Sequence, residues 1–240
     1  MSQTAEQEYM ERLTQAVNNS VDFTREFKSD LHQFKLEQFY EMFAQEILFY
    51  KPIELLNGQV WGEGILVTYD ADDMKKLYHS RILTPDQRVE LINGHFFKTP
   101  ISTQAQTNAA IDLSTEMLRG LGDDIVARGG YDIELGAKFV VSPEIAILQA
   151  PRERYNHHNA TLGDVYLLVE VLAEKPKYWD YKLSAYARAC VPELWVLNTN
   201  TQQLEIYADS DGVEFLHQVK LEKGQLATPL EFLDVQIRWW

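Results

Sequence analysis

The sequence predicts a protein of the α/β or α+β class built on a mixed sheet, and three observations carry that prediction. Helix-like and strand-like periodicities interleave along the chain instead of falling into separate blocks. Two similar segments each end in an Asn-Gly pair between apolar runs, a strong short-range β-hairpin signal because both residues tolerate positive φ. One nearly continuous hydrophobic run, "DVYLLVEVLA" (164–173), reads as a central strand buried on both faces. The 240 residues, 45% hydrophobic and 24% charged, suit one generous domain or one domain with an extension. They exclude a disordered, collagen-like or rod-like chain.

Taken in order, residues 1–33 read as a polar helical extension with little to anchor it to a core. Residues 34–66 read as a degenerate copy of a helix-hairpin unit whose fuller version opens the domain spanning 67–240. "KLEQFYEMFAQEILFYKPIELLNGQVW" (Lys35–Trp61) aligns with "DADDMKKLYHSRILTPDQRVELINGHFF" (Asp70–Phe97). Each copy has a helical stretch, an Ile-Leu pair, a turn and a strand ending in Asn-Gly. Asn57-Gly58 and Asn93-Gly94 should each close a hairpin, with Glu54 and Glu90 in equivalent places. Only the second copy runs on into a long helix at 103–121, where Ala110, Leu113, Met117, Leu118 and Leu121 recur at helical spacing. "YDIELG", "KFVV" and "EIAILQ" then read as strands, and a polar loop separates them from the central run. Residues 178–189 read as a helix. "VPELWVLN", "QQLEIYA" and "GVEFLHQVKL" alternate as strands do, and "FLDVQIRWW" reads as a last strand.

Composition also narrows function. No apolar run reaches the roughly 18–20 residues of a membrane helix, and "MSQTAEQEYMER" is too polar for a signal peptide. The single cysteine, Cys190, allows neither an internal disulfide nor a thiolate zinc set, so a cytoplasmic protein is expected. Cys190 itself reads as a small buried hydrophobe. The net charge of −14, spread on both sides of Lys98, argues against a protein that coats nucleic acid. It does not exclude a nucleic-acid enzyme whose acids hold metal. Phosphate-binding GxxxxGK[ST], complete GxGxxG, nucleophile-elbow GxSxG and metalloprotease HExxH patterns are all absent.

Carboxylates inside strands are the chemically informative residues. Glu170 sits within "LLVEVL", where an ionised carboxylate is costly unless paired or metal-bound. The plain alternative is a partner Lys or Arg. Glu144, after Ser142-Pro143, opens the preceding strand. Lys182 follows Glu170 on the next helix, which can return its amine to the same strand end. Acid, acid and lysine in this order suit phosphodiester hydrolysis. That chemistry uses hard oxygen ligands for Mg²⁺ and a cation to orient water or steady developing charge. Arg152 and Arg154, in the polar loop, could contact phosphates, whereas His157 and His158 read as surface histidines. Trp195, Trp239 and Trp240 read as packing residues.

From Asp70 to the carboxyl terminus the chain resembles the Uma-type restriction endonuclease family of the PD-(D/E)XK nuclease superfamily. "ILTPDQRVELINGHFF", "SPEIAIL", "LLVEVLAEKP", "DYKLSAYARACVPELWVLN" and "LATPLEFLDV" carry the resemblance. It implies a restriction-endonuclease-like core, a central mixed sheet flanked by helices. It also implies a Mg²⁺- (or Mn²⁺-) dependent endonuclease, a hydrolase cutting DNA phosphodiester bonds. The family's site residues fall on Glu90, Glu144, Glu170 and Lys182. Glu144, Glu170 and the Val171 carbonyl would be metal ligands, and Glu90 an outer ligand or hydrogen-bond partner. Three positions depart from the family pattern: Glu144 replaces an Asp, Ala173 a Ser, and Gln106 a His. These departures and the extra amino-terminal copy suit the alternative, a non-catalytic relative serving as a binding or assembly module. Aromatic-rich strands near the carboxyl terminus, and the two cuts a duplex needs, lead to the expectation of a homodimer.

Overall fold

The computed structural model describes residues 3–48 and 52–240, and the chain forms two compact units, Met1–Thr99 and Pro100–Trp240. Phe49, Tyr50 and Lys51, in the first repeat copy, lie outside the described residues.

The first unit starts with helix α1 (Gln3–Glu26), then α2 (Leu36–Ala44) and three short antiparallel strands β1 (Ile53–Leu56), β2 (Gln59–Gly62) and β3 (Ile65–Leu66). Helix α3 (Ala71–His79) leads to the hairpin β4 (Val89–Ile92) and β5 (His95–Lys98). Both Asn-Gly pairs adopt positive φ, 50° and 76° at Asn57-Gly58 and 50° and 85° at Asn93-Gly94. This is the pattern of the tight turn whose twist matches paired strands. The repeat extends beyond the turns. In each copy the segment just before the helix donates an N–H to the hairpin glycine: Phe34 N to Gly58 O (2.8 Å) and Tyr69 N to Gly94 O (2.8 Å). Each helix then starts with a side chain from its first turn accepting the N–H of the residue before it. Gln38 accepts from Lys35 N, and Asp73 from Asp70 N.

The segment expected to be weakly anchored is tied down at its end. Phe27 and Leu31 are buried. Phe23 and Phe27 pack edge-on against Phe97 at 6.1 and 5.6 Å, Leu31 bridges to Phe97, and Lys98 N donates to Asp30 O (2.7 Å). The reason is long-range: Phe97's partners come from sixty and more residues upstream, and no local pattern announces them.

The second unit starts with helix α4 (Gln104–Leu121), capped by Thr103. Then come β6 (Ile125–Arg128), β7 (Ile133–Gly136), β8 (Phe139–Val141), β9 (Ile145–Gln149), β10 (Ala160–Thr161) and β11 (Val165–Leu172). Helix α5 (Trp179–Arg188) follows, then β12 (Glu193–Asn198), β13 (Gln203–Ser210) and β14 (Phe215–Glu222). Six strands form a mixed sheet in the order β14-β13-β12-β11-β9-β6. β11 and β12 are parallel and joined through α5, and the other neighbours are antiparallel. β11 therefore lies inside the sheet, and from Leu167 to Val171 every residue is buried. Its side chains alternate between faces. Leu167, Val169 and Val171 join Leu113, Met117 and Leu121 of α4, Trp195 and Leu197 of β12, and Ile237 and Trp239 in one core. Glu170 points to the other face, where α5 lies.

Two expectations differ from the structure here. The tail is not a strand but an irregular strap held by the Ala227–Ile237 bridge. Pro229 interrupts it, and the next N–H, that of Leu230, goes to the Glu193 carboxylate (2.7 Å). The strap crosses α4 so closely that a Cβ on Gly120 would sit 2.9 Å from Ile237 and Val235 side-chain carbons. Cys190 is exposed, not buried. It ends α5 at φ 57°, with its N–H on Ala187 O, and that left-handed ending turns the side chain out. Trp195 and Trp239 are buried as packing residues, while Trp240 remains 41% exposed.

Candidate active site

The sheet register explains the position of Glu144. β9 begins at Ile145, opposite Val169, so the strand does not extend to cover the Val171 N–H. The Glu144 carboxylate takes that role, accepting from Val171 N at 2.9 Å. Ser102 Oγ is 3.4 Å from the other carboxylate oxygen. The other side of the same peptide position is held from α4. Gln106 Nε2 donates to Val171 O at 2.8 Å, and Gln106 Oε1 accepts the Thr103 N–H and hydroxyl, each at 2.9 Å. The amino terminus of α4 is thereby fastened to the end of β11.

On the opposite face of β11, α5 presents Lys182 and Tyr186, four residues apart and hence on one side of the helix. Lys182 Nζ lies 2.8 Å from Glu170 Oε1, with both side chains 5% exposed, and the Tyr186 hydroxyl donates to the same oxygen. The Lys182 ammonium also lies 5.7 Å from the Tyr186 ring centroid, and Phe139 packs edge-on against that ring at 5.2 Å. Two charges removed from water are tolerable here because they face each other and the carboxylate also accepts the Tyr186 hydroxyl. Breaking such a pair by removing one partner costs about 3–5 kcal/mol.

The remaining residues singled out from sequence fall as follows. Glu90 lies on β4 in the first unit, 1% exposed and opposite Phe97. Glu54 lies on β1, exposed and opposite Trp61. Arg152 is exposed on a 3₁₀ turn. Arg154, on the same turn, is bound to Asp164 (2.9 Å) and donates to Gln149 Oε1 (3.2 Å). Asp164 is buried and also accepts the Thr161 N–H and hydroxyl, so Arg154 is a counter-ion to a structural carboxylate. His157 and His158 are exposed.

Burial holds two carboxyl groups of this unit above the usual carboxylate range. Burial raises the Asp132 pKa, opposed by a hydrogen bond from Ser142 Oγ at 2.5 Å. Burial likewise raises that of Glu193, opposed by bonds from the Trp195 indole (2.6 Å) and Leu230 N–H.

Sequence reasoning missed three contributors. Tyr186 reaches Glu170 because it stands one helical turn beyond Lys182, a spacing visible in the sequence. The Gln106–Val171 and Ser102–Glu144 contacts join residues far apart in the chain, and no local signal marks them. Among the described residues, no group of three or more His, Cys, Asp and Glu is arranged to hold a metal ion. In donor type alone, the oxygens present match what Mg²⁺ takes. Glu144, Glu170 and the Val171 carbonyl are hard oxygens, and Mg²⁺ is commonly bound through one or two carboxylates while water fills its other positions.

A mixed sheet with a buried acid-lysine pair at the end of its central strand places the chain among restriction-endonuclease-like folds. A solved structure supports this: that of a putative nuclease belonging to DUF820 from Anabaena variabilis ATCC 29413. It superposes with a TM-score of 0.54 over 68% of this chain and 90% of that one, at 13% identity, a likeness of fold. The model of the Uma2 family, described as "Putative restriction endonuclease", matches residues 71–239, and the chain belongs to that family. No curated protein matches it.

Proposed function

We propose that the protein is a metal-dependent endonuclease that hydrolyses DNA phosphodiester bonds. The observation that carries this reading is the Lys182 ammonium at 2.8 Å from Glu170, beside a peptide unit held by Glu144. Glu144, Glu170 and the Val171 carbonyl would hold Mg²⁺ or Mn²⁺. Bound there, such an ion polarises a phosphate and lowers the pKa of a coordinated water. Lys182 orients the attacking water or steadies charge on the phosphate, and Tyr186 fixes the Glu170 oxygen that Lys182 also touches. Gln106 and Glu144 together fix Val171, so its carbonyl direction is set by α4. Glu90 is assigned the outer-ligand role by family resemblance, and Arg152, exposed in the polar loop, that of a phosphate contact; Arg154, expected to share that role, is instead held by Asp164. The protein would act as a homodimer, β14 being the sheet edge, with Leu216 and Val219 exposed on it; a sedimentation mass of one chain would refute that.

The test is cleavage of supercoiled plasmid and of single-stranded DNA with Mg²⁺ or Mn²⁺. Wild type is expected to cut, and Lys182→Met to lose about 10²–10⁴-fold. The Glu170→Gln/Lys182→Met double variant should be equally inactive but better folded than Lys182→Met, since no unpaired charge remains buried.

One observation favours the second reading, a non-catalytic binding or assembly module. Glu170 already has a full counter-ion in Lys182, so the pair could serve the fold alone. Calorimetry decides: no uptake of Mn²⁺ or Mg²⁺ by wild type, together with no cleavage, would establish the module.

A further inference from the structure

The six-stranded sheet ends at β6, and the last residue of that edge strand, Arg128, has an unusual setting. Its guanidinium carbon lies 4.8 Å from the Tyr131 ring centroid and 5.3 Å from that of Tyr155, and Nη2 is 3.4 Å from the Tyr155 carbonyl oxygen. Among the described residues it forms no ion pair with a carboxylate. A half-buried guanidinium held by two π faces and a carbonyl is oriented but not neutralised, and its remaining N–H groups suit an anionic oxygen.

The surroundings add to this. Arg128 is paired with Ala146 in β9, two residues beyond Glu144. The turn after Arg128 runs against Glu144 itself. A Cβ on Gly129 would lie 2.6 Å from the Glu144 carbonyl oxygen, and Gly130 N donates to Pro143 O at 3.2 Å. Tyr131, at the end of this turn, is 56% exposed. Tyr155 is buried, with its hydroxyl on Gln149 O at 2.7 Å, and it belongs to the same 3₁₀ turn as the exposed Arg152. Asp164 is engaged by Arg154 and Asp132 by Ser142, and Glu153, on the same turn as Arg152, is exposed. In a chain of net charge −14, this sets an aromatic-backed guanidinium on a strand whose following turn packs against the backbone of Glu144, a candidate metal ligand.

We propose that Arg128, backed by Tyr131 and Tyr155 and flanked by Arg152, grips the DNA backbone phosphates next to the one presented to Glu144 and Glu170. The proposal rests on the reading of the site as a DNA-cutting one and names the surface that holds the substrate there. Arg128 supplies the paired N–H groups for a phosphate, and Tyr131 keeps the guanidinium plane fixed. Arg154 is excluded, being spent on Asp164.

The experiment uses the full chain and a fluorescent duplex oligonucleotide. Anisotropy is measured over a salt series, both metal-free and with Ca²⁺, and plasmid cleavage is measured in parallel with Mg²⁺. Arg128→Ala is expected to weaken binding about tenfold and to reduce the slope of log affinity against log salt by about 1, the signature of one lost phosphate contact. Arg128→Lys should restore part of the slope but not the affinity, since it keeps the charge and loses the planar fork. Tyr131→Ala and Arg152→Ala, at exposed positions where folding is not at stake, should each weaken binding several-fold. Arg119→Ala, on α4, should bind as wild type.

If Arg128→Ala, Tyr131→Ala and Arg152→Ala all bind with wild-type affinity and slope, the proposal is overturned. Cleavage by wild type in that case leaves the nuclease reading standing. If the variants lose binding while wild type never cuts, the surface stands and hydrolysis falls. If wild type binds no DNA in either buffer, the surface is refuted, and cleavage is judged by the plasmid assay alone.

Discussion

The two hairpins of the first unit share a motif, a turn and a neighbour, yet their equivalent glutamates occupy opposite environments. Glu54 faces Trp61 across one hairpin and is exposed; Glu90 faces Phe97 across the other and is 1% exposed. Both turns have the same signs of φ at Asn and Gly, and both glycine carbonyls accept an N–H from the segment before the preceding helix. The difference comes from what lies alongside. Residues 30–32 run beside β5, where Lys98 N meets Asp30 O and His32 N meets Phe96 O (2.7 Å). Phe23, Phe27 and Leu31 cover Phe97. In the first hairpin β1 alternates half-buried with exposed, whereas every residue of β4 is buried. A duplicated sequence thus reproduces the turn and its local hydrogen bonds, while burial depends on contacts the repeat does not encode.

If that account holds, the cross-strand aromatics should differ most. Phe97→Ala should cost about 3–5 kcal/mol in urea unfolding, against roughly 1–2 kcal/mol for the half-buried Trp61→Ala; equal costs would break the comparison.

The next largest effect is pH-dependent and lies at the segment that covers β5. Burial, reinforced by the Lys98 charge, lowers the His32 pKa from 6.5 to about 4. The unfolded chain takes up this proton below pH 6.5 while the folded protein does not. The contribution is therefore full above pH 6.5 and is lost as pH falls toward 4, by about 3 kcal/mol in all. Unfolding free energies at pH 7 and pH 4.5 should show this loss, and His32→Leu should flatten it; an unchanged profile in His32→Leu would refute the assignment.

A smaller contrast separates the glutamates. If Glu90 has the outer-ligand role proposed for it, Glu90→Gln should reduce metal-dependent cleavage about 10–100-fold, and Glu54→Gln should leave it unchanged. A matching loss at Glu54 would make the first copy a functional one.

The smallest effect should be the same in both copies. A Cβ at Gly58 would lie 2.6 Å from Gln33 Cβ, and one at Gly94 would lie 2.7 Å from Thr68 Cβ, both at positive φ. Gly58→Ala and Gly94→Ala should each cost about 1–2 kcal/mol, and a difference larger than that between them would show that the turns are not equivalent.

Much of the fold was legible because it is locally written. Asn-Gly turns, the apolar spacing of α4 and the unbroken hydrophobic run of β11 each state a conformation within ten or twenty residues. β6 was missed because "IVAR" is four residues long and follows directly on a Gly-Asp-Asp turn. The tail reads as a strand because its alternation is genuine, but its backbone groups close turns at Phe232 and Val235 and pair with Ala227 at Ile237. Within the site, Glu170 stands out because a carboxylate interrupts an apolar strand, and Lys182 because the next helix can return its amine to the same strand end. Gln106 and Ser102 act across long sequence separations, and their roles required coordinates, whereas Tyr186 follows Lys182 by one helical turn, a spacing open to view.

The outward turn of Cys190 has a practical consequence. With one thiol in 240 residues and that thiol exposed, a maleimide dye will report from a single position at the end of the helix bearing Lys182 and Tyr186. The same thiol can link two chains covalently when reductant runs out. A doubled mass observed under oxidising conditions must therefore be checked against Cys190→Ser before it is taken as association through the sheet edge.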